Sequence, residues 1–167
     1  MKILKRFFRH NWFTHYRARQ YFPHTMLQEV EKNIAAGEQL HRAQVCVIIE
    51  HVLSWHIICS GVSSRVRAQQ LFAQYHVWDT KENSGVLLYI NVADRKIEIV
   101  TDRGVDDYVA EDVWKRVCEH MSTAFKNKQY EAGVLSALDE IQTILKQYFP
   151  REDDEGTQLC NKPIVIN

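Results

Sequence analysis

Residues 77–105 read VWDTKENSGVLLYINVADRKIEIVTDRGV, and this stretch decides the fold. It holds two runs of β-branched and aromatic residues, 85–92 and 96–101, separated only by Ala93, Asp94 and Arg95. Three residues cannot carry a crossover, so the two runs form an antiparallel hairpin. Upstream, residues 43–52 read AQVCVIIEHV, apolar almost without break in the first half. That is the pattern of a strand covered on both faces. A helical segment, RVRAQQLFAQYH, lies between that strand and residue 85, capped by Ser63 or Ser64, with Val66, Leu71, Phe72 and Tyr75 on its inner side. Strand, helix, strand implies a parallel pair. The sheet is therefore mixed.

Working outward, Thr25 and Gln28 form a capping box that opens a helix with Leu27, Val30 and Ile34 inward and Gly37 at its end. Residues 53–62 fit a short helix or an irregular loop. Downstream, residues 111–127 and 130–148 are two amphipathic helices. Val113, Val117, His120 or Met121, and Ala124 or Phe125 line the first; Val134, Leu138, Ile141 and Leu145 line the second, and Pro150 stops it. The expected fold is α/β: a three-layer α/β/α sandwich on a small mixed sheet, with a βαβ unit and an antiparallel hairpin. Three segments follow: a basic aromatic leader helix at 1–22, the α/β domain at 23–150, and an acidic, then extended, tail at 151–167. Ile164, Val165 and Ile166 in that tail can add an edge strand or dock on the body.

The chain has 21 basic and 21 acidic residues, so no net charge draws it to nucleic acid. The balance hides an asymmetry. Lys2, Lys5, Arg6, Arg9, Arg17 and Arg19 give residues 1–20 a charge of +6 with no acid, leaving −6 on the rest, including Glu152, Asp153, Asp154 and Glu155. As a helix, the leader sets Phe8, Trp12 and Tyr16 on one face. Arg6, Arg9, Trp12 and Tyr16 are thus the expected contacts, either with the chain's own body or with an anionic membrane surface or a membrane protein. No secretory h-region and no apolar span long enough for a membrane is evident. The four cysteines form no CxxC pair, which argues against a zinc knuckle and for reduced thiols. The expected location is cytoplasmic, peripheral to the inner membrane.

Strand directions decide which loops meet. The starts of the first two strands and the finish of the third share one end of the sheet. There Glu38, His41 and Arg42 meet Trp78, Asp79 and Asn83, and also Asp102, Arg103 and Asp106. Oxygen-rich loops of this kind suit a hard cation, calcium or magnesium, with Asp79, Asn83, Asp102 and Glu38 as ligands. Carboxylates or His41 in one site can also move protons. Asp102, His41 and Arg103 are the catalytic candidates. The opposite end collects Glu50, His51, Asp94 and Arg95, and ligands of open α/β sheets usually sit at the carboxyl ends of strands. Each residue also has a plain structural reading: Asp79 as a turn residue, Asp94-Arg95 as a hairpin turn, Asp102 as a local partner of Arg103, Gly85 and Gly104 as backbone requirements, and Trp78 and Trp114 as core or wall. No GxSxG elbow, P-loop, HExxH or glycine-rich dinucleotide turn occurs, so neither a nucleotide nor an organic cofactor is expected.

Taken together, the helix RVRAQQLFAQYHVWDT, Asn83-Ser84-Gly85-Val86-Leu87-Leu88, Asp94-Arg95, Ile97-Glu98-Ile99-Val100 and Asp102-Arg103-Gly104-Val105 resemble the TPM domain. Trp114, Met121, Phe125, Tyr130, Gly133 and Phe149-Pro150 extend the likeness, which covers roughly residues 25 to 150. The basic leader, Gly37-Glu38 with His41, and the Asn161…Pro163 tail are similar to a short soluble bacterial subgroup. The family includes a thylakoid lumen protein, a photosystem II repair protein and a nematode acetylcholine-receptor modulator. The resemblance implies an α/β/α sandwich, a divalent cation carried first by Asp79, Asn83 and Asp102, and weak acid-phosphatase-like hydrolysis of small phosphomonoesters. The alternative is a non-catalytic module docking on a membrane or membrane complex.

Overall fold

The computed structural model describes Arg6, residues 20–151 and residues 159–166. In chain order the elements are α1 His24–Gly37, β1 Gln44–Glu50, α2 Trp55–Cys59, α3 Ser64–Gln74, β2 Gly85–Asn91, β3 Lys96–Thr101, α4 Arg103–Asp106, α5 Glu111–Lys126, α6 Tyr130–Tyr148 and β4 Ile164–Ile166. The sheet order is β3-β2-β1-β4. β1 runs parallel to β2, Gln44 opposite Gly85 and Glu50 opposite Asn91. β2 and β3 are the antiparallel hairpin, with Val86 opposite Thr101. β4 lies parallel against the second half of β1, Ile48 opposite Ile164.

Every residue of β1 and β2 is buried. Period-two alternation divides their side chains between two cores. Val45, Val47, Ile49, Val86, Leu88 and Ile90 face α1, α5 and α6, against Val30, Ile34, Trp114, Met121, Leu138 and Ile141. Cys46, Ile48, Leu87 and Tyr89 face the other way, against Ala68 and Leu71 of α3, with Leu159, Ile164 and Ile166 packed alongside. The result is the expected three-layer sandwich around a mixed sheet. Burial on both sides explains why neither central strand alternates in polarity.

Three local expectations change, and two open alternatives resolve. No capping box opens α1: Pro23, in extended conformation (φ −68°, ψ 159°), precedes the helix, and Leu27 N–H bonds Pro23 O at 3.2 Å. Proline's fixed φ and extended ψ set the chain direction, so the helix starts one residue before Thr25. Ser63 does cap α3, accepting from Val66 N at 3.2 Å. Val66 itself is exposed; Ser64, Ala68 and Leu71 form the inner stripe. On α5 the core position is Met121, and His120 faces out toward Glu140 at 3.1 Å. Trp78 lies 47% exposed in the turn before β2, while Trp114 is core.

Gly85 shows how tightly the start of β2 is built. A Cβ there would sit 1.9 Å from the backbone oxygen of Val77. Backbone cannot rotate away as a side-chain tip can, so Gly85→Ala forces the strand and the preceding turn apart. We expect it to cost about 1–3 kcal/mol, toward the upper end. Urea denaturation checks this, and an unchanged midpoint would contradict the close approach.

Candidate functional site

The end of the sheet where β1 and β2 begin and β3 finishes carries an open groove of about 370 Å³. Arg42, Glu82, Asn83, Arg103, Gly104, Asp107, Tyr108, Tyr148 and Phe149 line it. Local structure fixes most of these. Asn83 takes a positive φ of 53°, a conformation asparagine tolerates better than most residues, and its N–H bonds Thr80 O at 3.1 Å. This turn aims the Asn83 side chain at Arg103, whose Nη2 donates to Asn83 Oδ1 at 3.1 Å. Gly104 lets the α4 turn press against the same loop: a Cβ would lie 2.4 Å from Glu82 O and 2.7 Å from Asn83 O. Arg42 Nε lies 3.0 Å from Glu82 Oε2, an ion pair that lacks hydrogen-bond alignment.

Asp102 works locally. Its Oδ1 accepts from Arg103 N at 2.8 Å, and Asp102 N bonds Gly85 O at 2.9 Å. Its Oδ2 is buried with no hydrogen-bond partner among the described residues. Asp106 accepts from the Thr101 hydroxyl. Asp79 is exposed, and its N–H closes a turn onto His76 O at 2.9 Å. Glu38 is buried, and its carbonyl accepts from Arg151.

His41 is not a wall of the groove. It is fully buried, with Nδ1 3.0 Å from Ala43 O and Nε2 against the Gln142 carboxamide. Burial lowers its pKa from the ordinary 6.5, outweighing the Gln142 and backbone hydrogen bonds. The folded chain therefore holds His41 neutral at pH values where the unfolded chain protonates it. Its contribution to stability is fully present above pH 6.5 and is lost as pH falls from there toward the lowered pKa, by at most about 1.4 kcal/mol per pH unit. His41→Asn is expected to flatten this part of a stability-versus-pH curve. An unchanged slope would mean that the histidine titrates alike in both states.

The opposite end of the sheet holds a buried polar network. Glu50 accepts from Arg67 Nε at 3.2 and 3.1 Å and from Arg67 Nη2 at 2.7 Å. Tyr89 Oη donates to Glu50 Oε2 at 2.5 Å, and Asn91 Nδ2 donates to Tyr89 Oη at 3.1 Å. Asp94 N donates to Asn91 Oδ1 at 2.9 Å. The Glu50 hydrogen bonds raise the Arg67 pKa, and burial followed by the Glu50 charge pushes the Tyr89 phenol well above its ordinary range. Arg95 supplies the hairpin turn, at a φ of 55°. His51 is buried beside Phe22, ring centroids 6.5 Å apart. Every carboxylate oxygen of Glu50 is engaged, so this end reads as an internal brace.

Arg6 reaches the same end. Its Nε donates to Asp94 Oδ2 at 2.8 Å and its Nη1 to Val62 O at 2.7 Å. One leader charge is thus spent on the chain's own body. Arg9, Trp12 and Tyr16 lie outside the described residues.

Among the described residues no three His, Cys, Asp or Glu side chains gather as a metal site. Asp79, Asp102 and Glu38 thus do not share one coordination shell, and Asn83 Oδ1 is occupied by Arg103. The unpartnered Asp102 Oδ2 is one oxygen of the right kind; it does not make a chelate. Sequence reasoning missed Glu82, Asp107 and the aromatic wall at one end, and Arg67, Tyr89 and Asn91 at the other. The second omission was avoidable. Strand parity sets Glu50, Tyr89 and Asn91 on the face that α3 covers, and Arg67 sits on α3.

A family profile described as the TPM domain matches residues 16–144. The fold is similar to that of the BA42 protein from the psychrophilic bacterium Bizionia argentinensis, solved by NMR, with a TM-score of 0.74 and 23% identity over 84% of this chain and 92% of that one. It is also similar to the N-terminal domain of a P. gingivalis protein, with a TM-score of 0.65 and 16% identity over 81% of this chain and 83% of that one. No relative was found among curated proteins. Among the described residues no helix is long and apolar enough to cross a membrane. The profile covers most of the chain, including the hairpin and the groove residues from Arg42 to Tyr108: the chain belongs to the TPM domain family.

Proposed function

We propose that the groove at the start of β1 and β2 binds a small phosphate monoester. The observation that carries this is the convergence of Arg42, Arg103 and Asn83 on one groove, with two carboxylates beside them. Guanidinium groups match phosphate oxygens in charge and fork geometry, and the Asn83 amide adds a neutral donor. Glu82 and Asp107 balance the two arginines in the groove. A dianion alone therefore meets opposed charges, whereas a phosphate accompanied by calcium or magnesium satisfies both signs. The divalent cation belongs to this reading as a companion of the phosphate, because the described residues gather no three-acid chelate of their own. For hydrolysis, Glu82 and Asp107 are the groove's proton-transfer groups; buried His41 is not one.

Calorimetric titration with phenyl phosphate, with and without magnesium, tests the binding. We expect binding that strengthens with magnesium, and little effect of magnesium or calcium alone on melting temperature. Turnover of p-nitrophenyl phosphate under the same conditions decides between a phosphomonoesterase and a binding module. Absence of binding under both conditions would remove the proposal.

A further inference from the structure

Beyond its charged groups, the groove has an aromatic wall. Tyr108 is 62% exposed and Tyr148 39% exposed, whereas Phe149 behind them is buried. The Tyr108 and Tyr148 ring centroids lie 6.4 Å apart with planes tilted by 35°. Tyr108 meets Phe149 edge-on at 5.6 Å. Backbone hydrogen bonds hold the backing in place. Phe149 O accepts from Arg42 N at 3.0 Å, and Tyr108 N bonds Val105 O at 3.1 Å. Large aromatic side chains bring apolar area with little rotamer entropy, and aromatic pairs gain from offset or edge-on stacking. Two exposed tyrosines braced by a buried phenylalanine are therefore a surface ready to receive a third flat ring. A groove of about 370 Å³ lies near the small end of ligand sites. It suits a charged head and one compact body.

Resting on the phosphate reading above, we infer that this site selects monoesters whose body is a flat aromatic ring: aryl phosphates in preference to sugar or glycerol phosphates. Arg42 and Arg103 take the phosphate, and Tyr108 and Tyr148 take the ring.

The test compares phenyl phosphate with glycerol 2-phosphate, ligands of equal charge, on the full chain in magnesium buffer. The expected result is at least tenfold tighter binding of phenyl phosphate. Tyr108→Ser should weaken phenyl phosphate several-fold and move glycerol 2-phosphate by less than twofold. Tyr148→Ser is a second route to the same comparison, and melting curves confirm that each variant is folded. Equal affinity of wild-type protein for the two ligands overturns the aryl preference while leaving phosphate binding intact. Failure of both ligands to bind overturns the phosphate reading and the preference with it. Free phosphotyrosine is expected to follow phenyl phosphate; its exclusion would show that the ring cannot enter from a substituted side and would overturn the site as drawn.

Discussion

Replacing Arg67 by alanine is expected to destabilise the chain by about 3–5 kcal/mol, because it strands a buried carboxylate. Glu50 and Arg67 have side-chain exposures of 2% and 13%. The guanidinium makes three hydrogen-bond contacts with that carboxylate, at 2.7–3.2 Å. With Arg67 gone, the Tyr89 hydroxyl is the one remaining hydrogen-bond donor to Glu50 that the described residues show. For a chain of this size the cost corresponds to a fall in melting temperature on the order of 10 °C. The double variant Glu50→Gln/Arg67→Met removes both charges and should recover more than half of the loss, since a neutral amide still accepts from Tyr89. A loss below about 1 kcal/mol for Arg67→Ala would place the pair with ordinary exposed ion pairs and would deny the brace at this end.

The second large effect concerns the groove. Arg103→Met should weaken phenyl phosphate binding by about 10- to 150-fold, the range for losing a hydrogen bond to a charged group. Arg103 is exposed, and its side chain donates to Asn83 across the groove, so the variant is expected to stay folded. Arg42→Met should be at least as damaging. It removes a cation and also leaves Glu82 uncompensated, facing the incoming dianion. The converse variant, Glu82→Gln, should tighten binding in metal-free buffer by a few-fold and blunt the benefit of magnesium. If Glu82→Gln weakens binding in both buffers, the carboxylate contributes in another way and the charge-balance argument is wrong.

The hairpin, the βαβ unit and the two long helices were legible because hydrophobic period and turn length fix them locally. Lys96–Thr101 and Tyr130–Tyr148 emerge with the expected limits. The convergence of the 83 loop with Asp102 and Arg103 was legible as well, since strand direction alone brings those loops together. Other features depend on packing partners that no local window contains. Val66 has the right period for burial, but α3 rolls to seat Ala68 and Leu71 against β2, and Val66 turns outward. His41 sits among charged neighbours in sequence, yet Gln142, a hundred residues on, receives it in the core. Tyr108 and Tyr148 come from distant segments and form one wall only when α6 returns to the start of β1. The metal-ligand set failed to gather for a related reason. Carboxylates from three loops can share an end of the sheet without sharing a point: Asp102 caps α4, Asp79 is exposed and Glu38 is buried at the C-cap of α1.

The claim with most at stake is that ligand chemistry occupies the end of the sheet where β1 and β2 begin, and that the other end is a structural brace. A titration of isotope-labelled protein with phenyl phosphate and magnesium, followed by backbone amide chemical shifts, tests this directly. Saturable shifts are expected at Arg42, Asn83, Arg103, Gly104 and Tyr108, with Glu50, Tyr89 and Asn91 unmoved. Shifts centred on Glu50, Asn91 and Asp94, or none at any ligand concentration, would contradict that claim.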